Sequence, residues 1–182
     1  LRNGETVVGM VAPAALKSKL RFFESIATKT RGINMLKTSV LHPEILAALG
    51  AAGHLGKILI SDGNYPHSTR AQPRAKIVWA NFTAGVVDAV TALKLVCDLV
   101  PVEAVEVMEP ARDGLYAMKS DPPIWNSFRT VLKERAGFTG ALIPLQKPEF
   151  NQQTMSPDLC LVIATAETQI WANCLITIGV VK

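Results

Sequence analysis

The sequence predicts an α/β fold built on one mostly parallel sheet covered by helices on both faces. Three observations predict it. Segments with helical periodicity alternate with short apolar segments of strand length along most of the chain. Two late segments, "LCLVIATA" and "CLITIGVV", are continuously apolar, as strands buried on both faces are. A chain of 182 residues, 49% of them hydrophobic, is long enough for one domain with a sizeable core.

The elements follow in order from residue 35. "HPEILAALGAAG" reads as a helix, with Pro43 in its first turn and Gly53 suited to its C-terminal cap. "KILIS" reads as a strand, and "DGNYPHSTRAQPR" as a loop rich in Gly, Asn and Pro. "AKIVWANF" is a strand, and "GVVDAVTALKLVCDLV" a helix stopped by Pro101. "VEAVEVM" is a strand with alternating faces. "PPIWNSFRTVLKERAG" is a helix from Pro to Gly137. "ALIPLQ" is a short strand and "PEFNQQTMS" a short helix or turn. The last two apolar strands flank "ETQIWAN", and so short a connection suits an antiparallel hairpin.

Charge divides unevenly. Residues 1–34 hold six Lys/Arg against two acids, whereas the remainder holds 13 of each, so the whole net charge of +4 sits in the N-terminal segment. The domain itself therefore offers no basic face for nucleic acid. No apolar run reaches the roughly 18 residues of a membrane helix. Cys97, Cys160 and Cys174 lie far apart in apolar surroundings with no CxxC, the pattern of reduced, buried thiols. The basic, acid-poor first 34 residues, with "ALKSKLRFFESIATKT", resemble an organelle-targeting presequence or its mature remnant. A mitochondrial or plastid location follows as an expectation, with the cytoplasm as the alternative. A docking segment for unrelated protein subunits fits the same residues. Two domains are thus expected, 1–34 and 35–182.

The chemistry gathers around "GHLGKILISDGNYPH". His54 precedes the strand, and an imidazole is the side chain suited to giving and taking protons at working pH. Asp62 follows the strand. A strand of about five residues spans roughly 16 Å, so contact between the two within one chain is not implied. Each also has a plain reading: His54 as a surface residue after a helix, Asp62 as a turn residue bonding its own backbone. His54, Asp62 and His67 follow no known metal-ligand spacing, and no metal or cofactor is expected. Gly50, Gly53 and Gly56 precede a strand rather than join a strand to a helix, so a dinucleotide loop is excluded. Ser61 lacks the surroundings of a nucleophile elbow. In "WAN", Trp171 can cover the apolar face of a sugar ring and Asn173 can bond hydroxyls; equally, the segment can be a packed turn. Lys147 is a solvated cation or a hydroxyl-binding donor.

From residue 35 to the end, "LHPEILAALGAAGH", "ILISDGNYPH", "KPEFNQQT", "LVIATAE" and "WANCLITIGVV" resemble, in order, the ribose pyranase and fucose mutarotase (RbsD/FucU) family. The resemblance implies a three-layer α/β/α fold. It also implies a homo-oligomer, a pentamer or a decamer of two pentamers, with sites between neighbouring subunits. The implied activity is cofactor-free interconversion of anomers or ring forms of fucose- or ribose-like monosaccharides. His54 falls on the family's catalytic proton donor, and Asp62 on its sugar-binding aspartate. Lys147 falls where relatives carry a sugar-contacting His or Arg, and Trp171, Ala172 and Asn173 on the sugar-binding Tyr-Ala/Gly-Asn segment. Four positions depart from the family pattern: Trp171 replaces Tyr, Asn151 stands where many relatives have Tyr, Ala166 replaces the glycine of "TGE", and Lys147 is a point charge rather than a fork. These departures, with the basic extension, leave a second reading: a catalytically inactive member serving as a structural subunit of a larger organelle complex.

Overall fold

A computed structural model describes residues 36–181. Residues 1–34, and with them the expected targeting or docking role, lie outside the described residues. The elements run α1 (Pro43–Ala51), β1 (Lys57–Ser61), β2 (Lys76–Trp79), α2 (Ala89–Cys97), β3 (Val102–Met108), α3 (Ile124–Ala136), β4 (Ile143–Leu145), α4 (Lys147–Thr154), β5 (Leu159–Ala164) and β6 (Cys174–Ile178).

Local chemistry sets most boundaries. Pro43 opens α1, where its missing N–H costs nothing. Gly53 does not cap that helix: Ala52 ends it in extended backbone, and the left-handed turn falls at Leu55 (φ 69°). α2 starts later than its apolar run suggests. Gly85 is left-handed (φ 78°), and the Asp88 carboxylate accepts from the Thr91 N–H at 2.6 Å, so the cap rather than the hydrophobic pattern sets the start. α3 ends as expected on left-handed Gly137 (φ 63°), whose N–H reaches back to the Leu132 carbonyl.

The sheet order is β2-β5-β1-β6-β3-β4. β5 pairs parallel with both β1 and β2, and β3 pairs parallel with β4. β6 runs antiparallel between β1 and β3. The expected hairpin of the last two strands is therefore not formed, because β1 lies between them. The "ETQIWAN" segment instead carries the chain past the end of β1.

Alternating side chains split the core into two layers. Ile58, Ile60, Ile163 and Ile176 pack with Ile45 of α1, Leu93 of α2 and Phe128 of α3. Leu59, Val162 and Leu175 face the other way, onto Phe150 of α4 and Tyr65. Helices thus cover both faces in three layers. Phe128 and Phe150 are wholly buried, and truncating either to Ala costs about 3–5 kcal/mol. Lys57 ties the central strand to elements beyond its neighbours, 2.9 Å from Glu106 of β3 and 2.7 Å from Gln153 of α4. The carboxyl ends of β1, β3, β4 and β5 share one edge with the start of β6, the edge where ligand crevices form in such sheets.

Candidate functional site

Asp62 emerges at the carboxyl end of β1 and is 3% exposed. One carboxylate oxygen accepts from the Asn64 N–H at 3.0 Å, closing a turn over Gly63. The other accepts from the Asn173 side-chain amide at 3.0 Å and the Ala172 N–H at 3.3 Å. In return the Asp62 N–H donates to the Asn173 side-chain oxygen at 3.1 Å. Burial raises the carboxyl above its ordinary value; the three donors partly oppose the rise, and the nearby Glu167 carboxylate adds to it. The result is a rigid carboxylate with raised proton affinity.

The "WAN" segment reaches Asp62 through strained backbone. Trp171 is left-handed (φ 63°), unusual for a non-glycine residue, and the two residues that follow both donate to the same Asp62 oxygen. Its indole N–H donates to the Tyr116 carbonyl at 3.0 Å. That bond ties it to the loop between β3 and α3, which is braced in turn by Arg112 on Glu109 (3.0 Å) and on the Met118 carbonyl (3.2 Å). Ala166, in place of the family glycine, has no left-handed backbone, so the position does not require glycine.

Lys147 opens α4, and Asn151 lies one turn further on the same side. Together with Asp62, Asn173, Trp171 and Tyr116 they line a cleft of about 430 Å³, within the roughly 300–1,000 Å³ of small-molecule sites. The Asn151 side-chain oxygen is buried without a hydrogen-bond partner. Tyr65 anchors the wall by donating to the Arg70 carbonyl at 2.8 Å, with the Thr154 hydroxyl at the same distance.

The fold therefore brings together Asp62, Lys147, Trp171, Ala172 and Asn173. Ala172 contributes only its N–H, since the residue is wholly buried. Asn173 spends its oxygen and one amide hydrogen on Asp62, leaving one N–H for a guest. His54 is elsewhere. It stands at the amino end of β1, with Nε2 2.8 Å from the Glu103 carboxylate and both side chains nearly half exposed. A carboxylate only accepts, so the ring donates from Nε2, and neutral His54 is left with Nδ1 as its acceptor. His67 turns to Ser61 (2.8 Å) and His54 to Glu103, so these two and Asp62 do not converge on a metal.

Sequence reasoning missed Tyr65 and Tyr116 as cleft residues. The available signal was an aromatic residue in a Gly-bearing loop after a strand's carboxyl end, in "DGNYPH" and "DGLYAM".

The comparisons with known proteins agree with this fold. The family described as the RbsD / FucU transport protein family matches residues 35–181. The fucose mutarotase of Danio rerio is 30% identical over 148 residues, covering 79% of this chain and 91% of that protein. The Homo sapiens fucose mutarotase is 29% identical over 148 residues, covering 78% and 90%. Among solved structures, the fucose mutarotase of Streptococcus pneumoniae in complex with L-fucose aligns with TM-score 0.66 at 22% identity, over 81% of this chain and 100% of that one. Bacillus subtilis RbsD complexed with D-ribose aligns at 0.65 and 21%, with the same coverage; at such identities these two likenesses speak for the fold alone. Among the described residues no helix is long and apolar enough to cross a membrane. With the family's sequence pattern running through nearly all of the described fold, the chain belongs to the RbsD/FucU family.

Proposed function

We propose that this protein is a monosaccharide mutarotase acting on fucose- or ribose-like sugars by cofactor-independent acid–base catalysis, with His54 supplied to each cleft by a neighbouring copy. The observation that carries the reading is the Asp62 carboxylate, held rigid by Asn64, Ala172 and Asn173 on the floor of a sugar-sized cleft beside an indole. Fucose mutarotases among the chain's relatives support it.

The chemistry is small. Opening a hemiacetal removes the anomeric hydroxyl proton and protonates the ring oxygen; closing on the other face reverses both transfers. Neutral His54 accepts a proton at Nδ1 and protonated His54 returns it there, while Glu103 holds the ring by Nε2. Asp62 accepts a hydrogen bond from a sugar hydroxyl, and Lys147 donates one. Trp171 lies against the ring, its N–H already committed to Tyr116. The remaining Asn173 N–H orients the guest. Within one chain, β1 separates His54 from Asp62, which is why a second copy must complete the site. An inactive structural subunit would be favoured by a cleft plugged by Trp171, but here the indole forms part of the wall of an open cleft.

Saturation-transfer NMR of anomer exchange with L-fucose, D-ribose, D-galactose and D-glucose tests the proposal. At least one sugar should exchange faster than without protein. His54→Ala should lose most of a gain of about 10²–10⁴-fold. Equal exchange by wild type and His54→Ala for every sugar rejects the reading.

A further inference from the structure

The sugar cleft has a second lobe. Lys147 and Asn151 line the 430 Å³ cleft and also an adjoining hollow of about 460 Å³, whose wall adds Arg70 and Gln152. Arg70 comes from the loop after β1. Its backbone is pinned there, with its N–H on the Pro66 carbonyl at 2.9 Å and its carbonyl accepting from Tyr65.

The charges in this lobe are unbalanced. Arg112, Arg129 and Arg135 each sit on a carboxylate. Arg70 and Lys147 have no carboxylate partner among the described residues. The first turn of α4 opens at the same place, where its leading peptide N–H groups favour negative charge. Glu149, the acid of that turn, lines neither lobe. The single carboxylate of the joined space is Asp62, buried on the floor of the first lobe and already holding three N–H donors. A guest reaching from Asp62 past Lys147 thus meets hydroxyl-binding groups at one end and two uncompensated cations at the other. Asn151, whose side-chain oxygen is buried without a partner, lines both lobes where they meet Lys147.

We infer that the two lobes form one site for a monosaccharide bearing an anionic group, phosphate or carboxylate, remote from its anomeric carbon, with the ring beside Trp171 and Asp62 and the anion between Arg70 and Lys147. The inference rests on the mutarotase reading for the reaction but not for the binding. Charge-assisted hydrogen bonds from an arginine fork and an ammonium hold such an anion, whereas an uncharged sugar gives Lys147 only a hydroxyl and leaves Arg70 to water.

The test measures anomer exchange by the full chain with D-galactose, D-galactose 6-phosphate and D-galacturonate, each corrected for its exchange without protein. A KM for at least one anionic sugar about tenfold below that for galactose is expected. The advantage should shrink at about 0.5 M salt. Arg70→Gln should raise KM for the anionic sugar alone and leave galactose unchanged. A gain confined to the 6-phosphate assigns a phosphate, and one confined to the uronate a carboxylate. Equal or weaker use of both anionic sugars overturns the inference, as does an advantage that survives Arg70→Gln. If no sugar exchanges, the mutarotase reading fails, and calorimetric titration decides the subsite. Tighter binding of an anionic sugar than of galactose, lost in Arg70→Gln, upholds it; equal binding overturns it.

Discussion

The two ends of β1 are built differently. At the carboxyl end, Asp62 is buried, bonded on both oxygens and backed by Asn173, which immediately precedes the adjacent strand β6. At the amino end, His54 and Glu103 form a half-exposed pair that touches nothing else in the cleft's machinery. One end is organised before any guest arrives; the other presents a proton carrier outward. The proposed ring opening needs both a rigid acceptor of hydroxyls and a group that moves protons, and one copy of the chain holds Asp62 and His54 on opposite edges of its sheet. On the proposed mechanism, the difference makes the unit of function larger than the unit of folding.

The largest expected effect tests that division directly. His54→Ala and Asp62→Asn should each lose most of the catalysed exchange, about 10²-fold or more. Mixed oligomers of the two, formed by unfolding and refolding them together, should regain activity, because some clefts then pair an intact Asp62 with an intact His54. No regain in verified mixed oligomers would place both groups on one chain's site and end the comparison.

Next comes the support beneath Asp62. Asn173→Ala strips the Asp62 N–H of its acceptor and one carboxylate oxygen of one of its two donors, and should destabilise the fold by about 1–3 kcal/mol. It should also lower exchange well below wild type, because a loosened carboxylate no longer holds its hydroxyl in register. Urea denaturation and the exchange assay measure the two effects. The same stability loss from Glu103→Ala, at the exposed end, would contradict the contrast between the ends.

These cases also show what the sequence made legible. Strand β1 and the turn residue after it are visible because apolar runs and Asp-Gly punctuation are local signals. Lys147 before Pro148 is visible for the same reason. The placement of β1 between β5 and β6 was not, since strand order is decided by long-range pairing that no periodicity encodes. The hairpin expectation failed on that point. Tyr116 escaped notice because the bond that fixes it in the wall comes from Trp171, 55 residues away. The family resemblance located Asn173, but only the geometry showed that most of its hydrogen-bonding capacity goes to Asp62.

A smaller effect is expected at that wall. Trp171→Phe keeps an aromatic face but removes the N–H that holds the Tyr116 carbonyl. KM should rise a few-fold while kcat changes little, since the bond is worth about 1 kcal/mol. A fall in kcat at constant KM would instead place the indole in the proton-transfer step.

The smallest effect lies behind the cleft, where His67 is 7% exposed, 2.8 Å from the Ser61 hydroxyl and packed edge-on to Tyr65 and Trp79. Burial lowers its pKa below the ordinary value. Between that lowered value and about 6.5 the unfolded chain binds more protons than the folded one, so His67's contribution to stability is complete above about 6.5 and is lost as pH falls through the folded pKa. His67→Gln retains a polar partner for Ser61 but cannot titrate. The stability difference between variant and wild type, measured by urea denaturation from about pH 5 to 7.5, should be constant at the upper end and move in the variant's favour on acidification. His42 and His54 are common to both proteins and cancel from that difference. A flat difference across the range would mean that His67 takes up its proton as readily folded as unfolded, and that the ground beneath the Asp62 end is less closed than its contacts imply.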